Sequence, residues 1–328
     1  MKYYMETGST DPAYNLAFEE YVLLHKTEGD FLLLWQNDNA VIIGRNQNTE
    51  EEIDRAFVEA HGVKVVRRIT GGGAVYHDLG NLNYSFITDC GEFSHAAMAA
   101  FTEPVVGALR GLGLNAEASG RNDITVDGRK VSGTAQRVQG GRILFHGTLL
   151  FDSAPEMVAG ALRADPAKFR SKSTKSVKSR VGNIRGFLPE KMSMEEFWGY
   201  LKKTLLQGDF EEIFLDKREL TAVYEIKTEK YDTWSWNFGH SPRFDRKLKK
   251  AFPGGILETG ISVDRGGLIS AVSFRGDFLS RREVGEIEAA LTGCRYEKEA
   301  IRQVLESFPL AEYFGTITAD EVLESLTE

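Results

Sequence analysis

The stretch "VVRRITGGGAVYHDLGNLNYSFI", Val65 to Ile87, places Gly71, Gly72 and Gly73 inside a run that otherwise reads as strand. Three glycines in a row make a poor strand, because each lacks a Cβ and loses unusual conformational freedom on ordering. A chain that keeps them there needs a tight turn or a close approach of its backbone to something else. As a ligand-approach loop, the N–H groups of Gly71 to Gly73 can face a carboxylate or phosphate, with Arg67 or Arg68 adding charge-assisted hydrogen bonds. A plain hairpin turn is the simpler alternative, and it leaves the following "HDLGN" unexplained. His77 and Asp78 alternate sides if the segment is extended, so one can face the site while the other anchors structure.

The neighbouring segments supply the scaffold. "STDPAYNLAFEEYVLLHK" reads as a helix with Tyr14, Ala17, Phe18, Tyr21 and Leu24 on its apolar face and Glu19, Glu20 and Lys26 on the other. "FLLLWQ" and "AVIIG" read as a strand pair around the turn "NDNA". "TEEEIDRAFVEAHG" reads as one helix with a Thr49 and Glu52 capping box, and "AAMAAFTEPVVGALRGLG" as a helix broken or started near Pro104. "DITV", "RKVSGTAQRV" and "RILFHGTLLFD" form a three-stranded meander with turns at "DG" and "GG". "WSWNFGHSPRFD" is a connecting segment, and beyond it a hairpin and three helical stretches make a second unit. With 328 residues, above the usual limit of a single core, two domains are expected, over 1–246 and 247–328. Strands that arrive in hairpins give an α+β fold with a mixed, largely antiparallel sheet flanked by helices, plus a small C-terminal α+β domain.

Several chemistries are excluded by what the chain lacks. A net charge of −8 argues against a general nucleic-acid binder. Cys90 and Cys294 are too few for a disulfide framework or a Cys-built zinc site, so a reducing, cytoplasmic setting is expected. No segment approaches the roughly 18 apolar residues of a membrane span, and no export signal is read at the start. There is no P-loop pattern, and "GLGLNA" at Gly111 sits between a helix and a strand, the reverse of a dinucleotide fingerprint. No His/Cys cluster has metal-ligand spacing, so any metal is expected to be Mg²⁺ arriving with phosphates.

Two further features concern charge. Lys130, between small and apolar neighbours in "GRKVSGTAQ", is either an exposed edge charge or a site residue; "RND" at 121–123 and "HGTLLFD" on adjacent strands favour the second. The segment 168–191, "KFRSKSTKSVKSRVGNIRGFLPEK", is strongly basic in an acidic chain, which suits either a solvated loop or an anion site.

Taken together, "DPAYNLAFEEYVL", "IIGRNQN", "VVRRITGGGAVYHDLGNLNYS", "RNDITVDGRKVSGTAQ", "FHGTLLFD", "KSVKSRVGNI" and "YDTWSWNFG" resemble the lipoate-protein ligases, relatives of the biotin-protein ligases. The resemblance spans nearly the whole chain, and the segment from Gly254 onward looks like the accessory domain of the longer members. It implies two half-reactions: lipoate and ATP give lipoyl-adenylate and pyrophosphate, and the acyl group passes to a lysine of a lipoyl domain. The acceptors it implies are the lipoyl domains of 2-oxoacid dehydrogenase E2 subunits and the glycine cleavage H protein, served by a cytoplasmic monomer. By motif position, Lys130 is the reactive-site lysine. Arg68, Thr70, Gly71, Gly72, Gly73, Val75, His77, Asn81, Asn122, Gly133, His146, Gly147 and Thr148 belong to the lipoate and adenylate pocket. Asp123 is matched to Mg²⁺, and Lys172, Ser176, Lys178, Arg180 and Val181 to a loop closing over the adenylate. Thr70 stands where many relatives have Ser and keeps the hydroxyl. The competing readings are an octanoyl or lipoyl transferase of the same superfamily, which in its cysteine form needs a site thiol, and a non-catalytic lipoate sensor.

Overall fold

The computed structural model describes residues 1–90, 95–120, 122–163, 181–238, 246–264 and 266–327, with the backbone alone for 95–100. Strands β1 (Lys2–Glu6) and β2 (Asp30–Trp35) pair in parallel. The last five side chains of β2 are all buried, as expected of a strand covered on both faces. Alternation divides them: Leu32 and Leu34 enter one core, and Phe31, Leu33 and Trp35 enter another. The helix Pro12–His25 covers the second face through Leu16, Ala17, Phe18 and Val22. Helices His95–Gly111 and Met194–Leu206 cover the first, the latter begun by a capping box of Ser193 and Glu196.

The runs expected to form one hairpin belong instead to different sheets. β3 (Ala40–Ile43), β4 (Lys64–Arg67) and β5 (Val75–His77) form a small sheet in the order β4-β3-β5, while β2 pairs with β1 and with β6 (Asn81–Asp89). Each run is buried at nearly every position, so each is central in its own sheet, and "NDNA" carries the chain between the two. The expected meander is present as β8 (Asp123–Val126), β9 (Arg129–Gln139) and β10 (Arg142–Leu150), after β7 (Ala116–Ser119). Its turns use positive φ at Asp127, Gly128, Gly140 and Gly141. With β11 (Glu211–Glu212) at one edge, the large sheet runs β11-β1-β2-β6-β10-β9-β8-β7. The class is α+β.

Two helix readings change. Residues 49–60 form two short helices, Thr49–Glu52 and Arg55–Ala60, capped by the side chains of Asn48 and Asp54. The Thr49 hydroxyl is turned to the Asn237 carbonyl and does not cap. In the helix Pro12–His25, Glu19 and Glu20 are buried where an exposed polar face was expected. Glu20 accepts from Lys230 Nζ at 2.7 Å and Tyr231 Oη at 2.7 Å.

Among the described residues the C-terminal elements are an antiparallel sheet, β12 (Arg246–Phe252), β13 (Gly255–Val263) and β14 (Ile269–Gly276), and four helices where three were expected. They share a core of Phe274, Phe278, Ile287, Ile301, Phe314 and Leu323. This unit meets the loops beside the triple glycine. Gly276 N–H donates to the Asn46 carbonyl at 2.8 Å, and Asn46 Nδ2 donates to Ser280 Oγ at 2.9 Å. A Cβ on Gly71 would lie 2.7 Å from the Phe278 carbonyl oxygen and 3.0 Å from the Ser280 nitrogen. Gly71→Ala is therefore expected to force these segments apart and cost about 1–3 kcal/mol, read as a lowered urea midpoint.

Candidate active site

The pocket grows from the registers of four strands. On the face covered by helix Pro12–His25, Trp35 is opposite Asn83, Asn83 opposite Thr148, and the Thr148 hydroxyl accepts from Gly133 N–H at 3.1 Å. The adjacent row on the same face sets Ser85 opposite His146 and His146 opposite Ala135. Over this floor lie Leu16, Ile42, Gly72, Gly73, Ala74 and Val75, which together with it line a cleft. The slot runs across the strands, with Trp35 at one end and Lys130, which curls over Gly133, at the other.

The charged end is simple. Lys130 Nζ lies 2.7 Å from Asp123 Oδ1, both about one-third exposed. Asn122 Nδ2 donates to the Thr134 carbonyl at 3.1 Å and lines the cleft beside them. Val181 bridges to Lys130 in parallel, and Gly182 N–H donates to the Lys130 carbonyl at 2.9 Å. Lys172, Ser176, Lys178 and Arg180, like Arg121, lie outside the described residues.

The opposite end is buried and highly connected. Glu19 is 1% exposed. Its carboxylate accepts from Ser85 Oγ at 2.6 Å and meets His146 Nδ1 at 2.9 Å, and Ser85 Oγ accepts from Trp35 Nε1 at 2.9 Å. His146 Nε2 is 2.8 Å from Thr70 Oγ1, which accepts from Arg68 Nε at 3.0 Å. Arg68 then donates to the carbonyls of Ile42, Gly71 and Gly73 at 3.1, 2.6 and 2.9 Å. Burial pulls its guanidinium down to about 10, against the opposing pull of Glu19.

The expected residues fall into distinct places. Arg68, Gly72, Gly73, Val75, His77, Asn122, Lys130, Gly133, His146, Gly147 and Thr148 line the cleft. Thr70 stands behind it, in the chain from His146 to Arg68. Gly71 faces the C-terminal unit, and the Gly72 N–H points at the Phe278 carbonyl, 3.4 Å away, where a ligand contact was expected. Asn81 lies beside the floor, on the same strand face as Asn83, its Nδ2 donating to Asn83 Oδ1 at 3.0 Å. Arg67 points away: it donates to the carbonyls of Gly44, Gln47, Trp236 and Asn237 and builds the neighbouring loops. Asp78 anchors structure through the N–H groups of Gly80 and Ala154. Sequence reasoning missed Leu16, Trp35, Ile42, Asn83 and Glu19. Asn83 was within reach, being two residues beyond Asn81 on the same strand face.

The residues present suit a metal that arrives with phosphates better than one caged by protein. Asp123 is the carboxylate beside the cleft's lysine, and no group of three His, Cys, Asp or Glu side chains poised for a metal occurs among the described residues. No helix among the described residues is long and apolar enough to cross a membrane.

The fold and cleft define a class. Residues 11–206 match the lipoyl protein ligase A/B catalytic domain, and residues 241–326 match the bacterial lipoate protein ligase C-terminus. The chain belongs to the lipoate-protein ligase family. Lipoate-protein ligase LplJ of Bacillus subtilis is 47% identical over 320 residues, 96% of each chain. Lipoate-protein ligase 1 of Staphylococcus aureus is 41% identical over 329 residues, 100% of each. Among solved structures, P. falciparum LipL1 in complex with lipoate shares the fold, with a TM-score of 0.84 at 23% identity over 100% of this chain and 99% of that one. A lipoate-protein ligase A bound with ATP gives 0.64 at 30% identity, covering 73% and 99%.

Burial, with Arg68 and His146 nearby, holds the His77 imidazole down to about 3. The unfolded chain protonates this residue near pH 6.5 while the folded one does not, so the unfolded state gains stability as pH falls between those values. The contribution of neutral His77 is complete above about pH 6.5 and is lost toward pH 3, with a slope approaching about 1.4 kcal/mol per unit. Urea melts from pH 7 to 4 are expected to show a shallower fall for His77→Phe.

Proposed function

We propose that this chain is an ATP-dependent ligase that activates lipoate as lipoyl-AMP and transfers the lipoyl group to a lysine of lipoyl-domain proteins. The observation that carries this reading is an apolar slot that has Lys130, paired with Asp123, at one end and is lined along its length by Leu16, Trp35, Ile42 and Val75. An acyl chain fits the slot, and its carboxylate falls beside Lys130.

In the first step a carboxylate oxygen forms a bond to the α-phosphorus of ATP as the bond to pyrophosphate breaks. The two reactants are both anionic, so Lys130, drawn from Asp123 toward the new charge, lowers the barrier electrostatically. Asp123 is the carboxylate that would hold a Mg²⁺ arriving with the phosphates, which would supply further neutralisation. In the second step the acceptor amine attacks the acyl carbon, AMP leaves, and the amine loses a proton. The mixed anhydride must be kept from water between the steps. We assign that role to residues 172–181, with Val181 anchoring the segment to the Lys130 strand.

The acceptors in this reading are the lipoyl domains of 2-oxoacid dehydrogenase E2 subunits and the H protein, met in the cytoplasm by a monomer. The catalytic unit ends near residue 246, and 247–328 is accessory. No enzyme nucleophile takes part: neither Cys90 nor Cys294 lines the cleft. Acylation that proceeds from an acyl-carrier donor without ATP would favour the transferase instead.

Lys130→Ala is expected to slow pyrophosphate release by roughly 10² to 10³-fold, the effect of losing one positioned electrostatic stabiliser, while thermal unfolding stays cooperative. Near-normal release by the folded variant would remove Lys130 from this role.

A further inference from the structure

The buried end of the cleft holds two polar groups that no other described residue answers. His77 is 3% exposed and Asn83 2%. Both line the cavity, and neither His77 Nε2 nor Asn83 Nδ2 has a hydrogen-bond partner among the described residues. Buried N–H groups are almost always paired, so two orphans at one end of a cavity point to a ligand acceptor.

The network fixes which His77 nitrogen carries the proton. Asn15 Nδ2 donates to Asn37 Oδ1 at 2.9 Å, so the other Asn37 atom, Nδ2, donates to His77 Nδ1 at 3.0 Å. His77 Nδ1 is therefore the acceptor, and a neutral ring places its proton on Nε2. Asn83 Oδ1 is occupied by Asn81 Nδ2 at 3.0 Å, which leaves the Asn83 amide hydrogens free.

Their place in the slot tells which part of the ligand they meet. The His77 ring lies 6.5 Å from Trp35, edge to face, and Asn83 is the strand partner of Trp35. From Trp35 to Gly133 the slot crosses three strand spacings, about 14 Å. A carboxylate at Lys130 thus leaves the far end of the acid beside His77 and Asn83.

We infer that His77 Nε2–H, with Asn83 Nδ2 beside it, is the specificity-determining donor for the tail of the acid, selecting a tail that carries sulfur acceptors over a hydrocarbon tail of the same shape. This rests on reading the cleft as the lipoate site. A ring sulfur is a weak acceptor and a methylene is none. Hydrocarbon pressed against these N–H groups keeps water from them and gives nothing back, whereas the dithiolane restores part of the lost bond.

The test is calorimetric binding of free acids to the full chain, without ATP. Lipoate is compared with its carbocyclic analogue, in which both ring sulfurs are methylenes, and with octanoate. The wild-type protein is expected to bind lipoate about tenfold more tightly than the carbocycle, and His77→Phe to reduce that preference to about twofold or less while still binding the carbocycle. Equal wild-type affinity for the two rings overturns the inference, as does an undiminished preference in a folded His77→Phe protein. The wild-type comparison decides the matter even if the variant does not fold. Failure of all three acids to bind has a different meaning: it overturns the lipoate reading of the cleft, and this inference with it.

Discussion

The site depends on two opposite charges sealed into one core and joined by neutral groups. Arg68 is 5% exposed and Glu19 1%. An isolated buried ion is costly, and such a pair persists only when every intervening group is satisfied. Here the donors run in one direction: Arg68 Nε to Thr70, Thr70 hydroxyl to His146 Nε2, and His146 Nδ1 to Glu19. This order gives Thr70 and His146 one donor and one acceptor role each. The rest of the Arg68 guanidinium is then free to hold the Gly71 and Gly73 carbonyls, so a charge pair deep in the sheet fixes the loop that roofs the cleft.

The second arginine of the motif does the same work on the other side. Arg67 gathers the carbonyls of Gly44, Gln47 and Asn237, and its burial, together with Arg275 and Arg45, pulls its guanidinium down to about 9. Trp236, which donates to the Arg67 carbonyl, carries Arg45 over its ring at 4.4 Å and Lys230 at 4.2 Å. Arg45 and Arg137 both pair with Glu283 of the C-terminal unit. The adjacent arginines thus separate two tasks, since neighbours on an extended segment face opposite ways: one shapes the pocket, and the other ties it to the C-terminal elements.

The two ends of the cleft differ in what they ask of water. Lys130 and Asp123 keep about one-third exposure, which leaves their ion pair weak and exchangeable. His77 is buried and neutral, with a fixed tautomer. A charged end that can re-pair and a dry end that cannot suit the proposed division of one chain-like substrate between chemistry and binding.

Much of this protein is legible in local patterns along the chain. The triple glycine, Lys130 after its "DG" turn, the three-stranded meander and the resemblance of seven ordered motifs were all legible, because turns, alternation and motif spacing are local properties. The misreadings were also local in origin. "FLLLWQ" and "AVIIG" look like a hairpin, but burial on both faces sends them to different sheets, and pairing partners far along the chain are not written in either run. Long-range packing alone makes Glu19, on what reads as the polar face of a helix, the buried partner of His146, 127 residues away. It also brings Gly71 to Phe278 where a ligand contact was expected. A helix's periodicity records where apolar side chains lie, but a buried carboxylate has the same letter as a solvated one, and the difference rests on whether the fold brings it a donor.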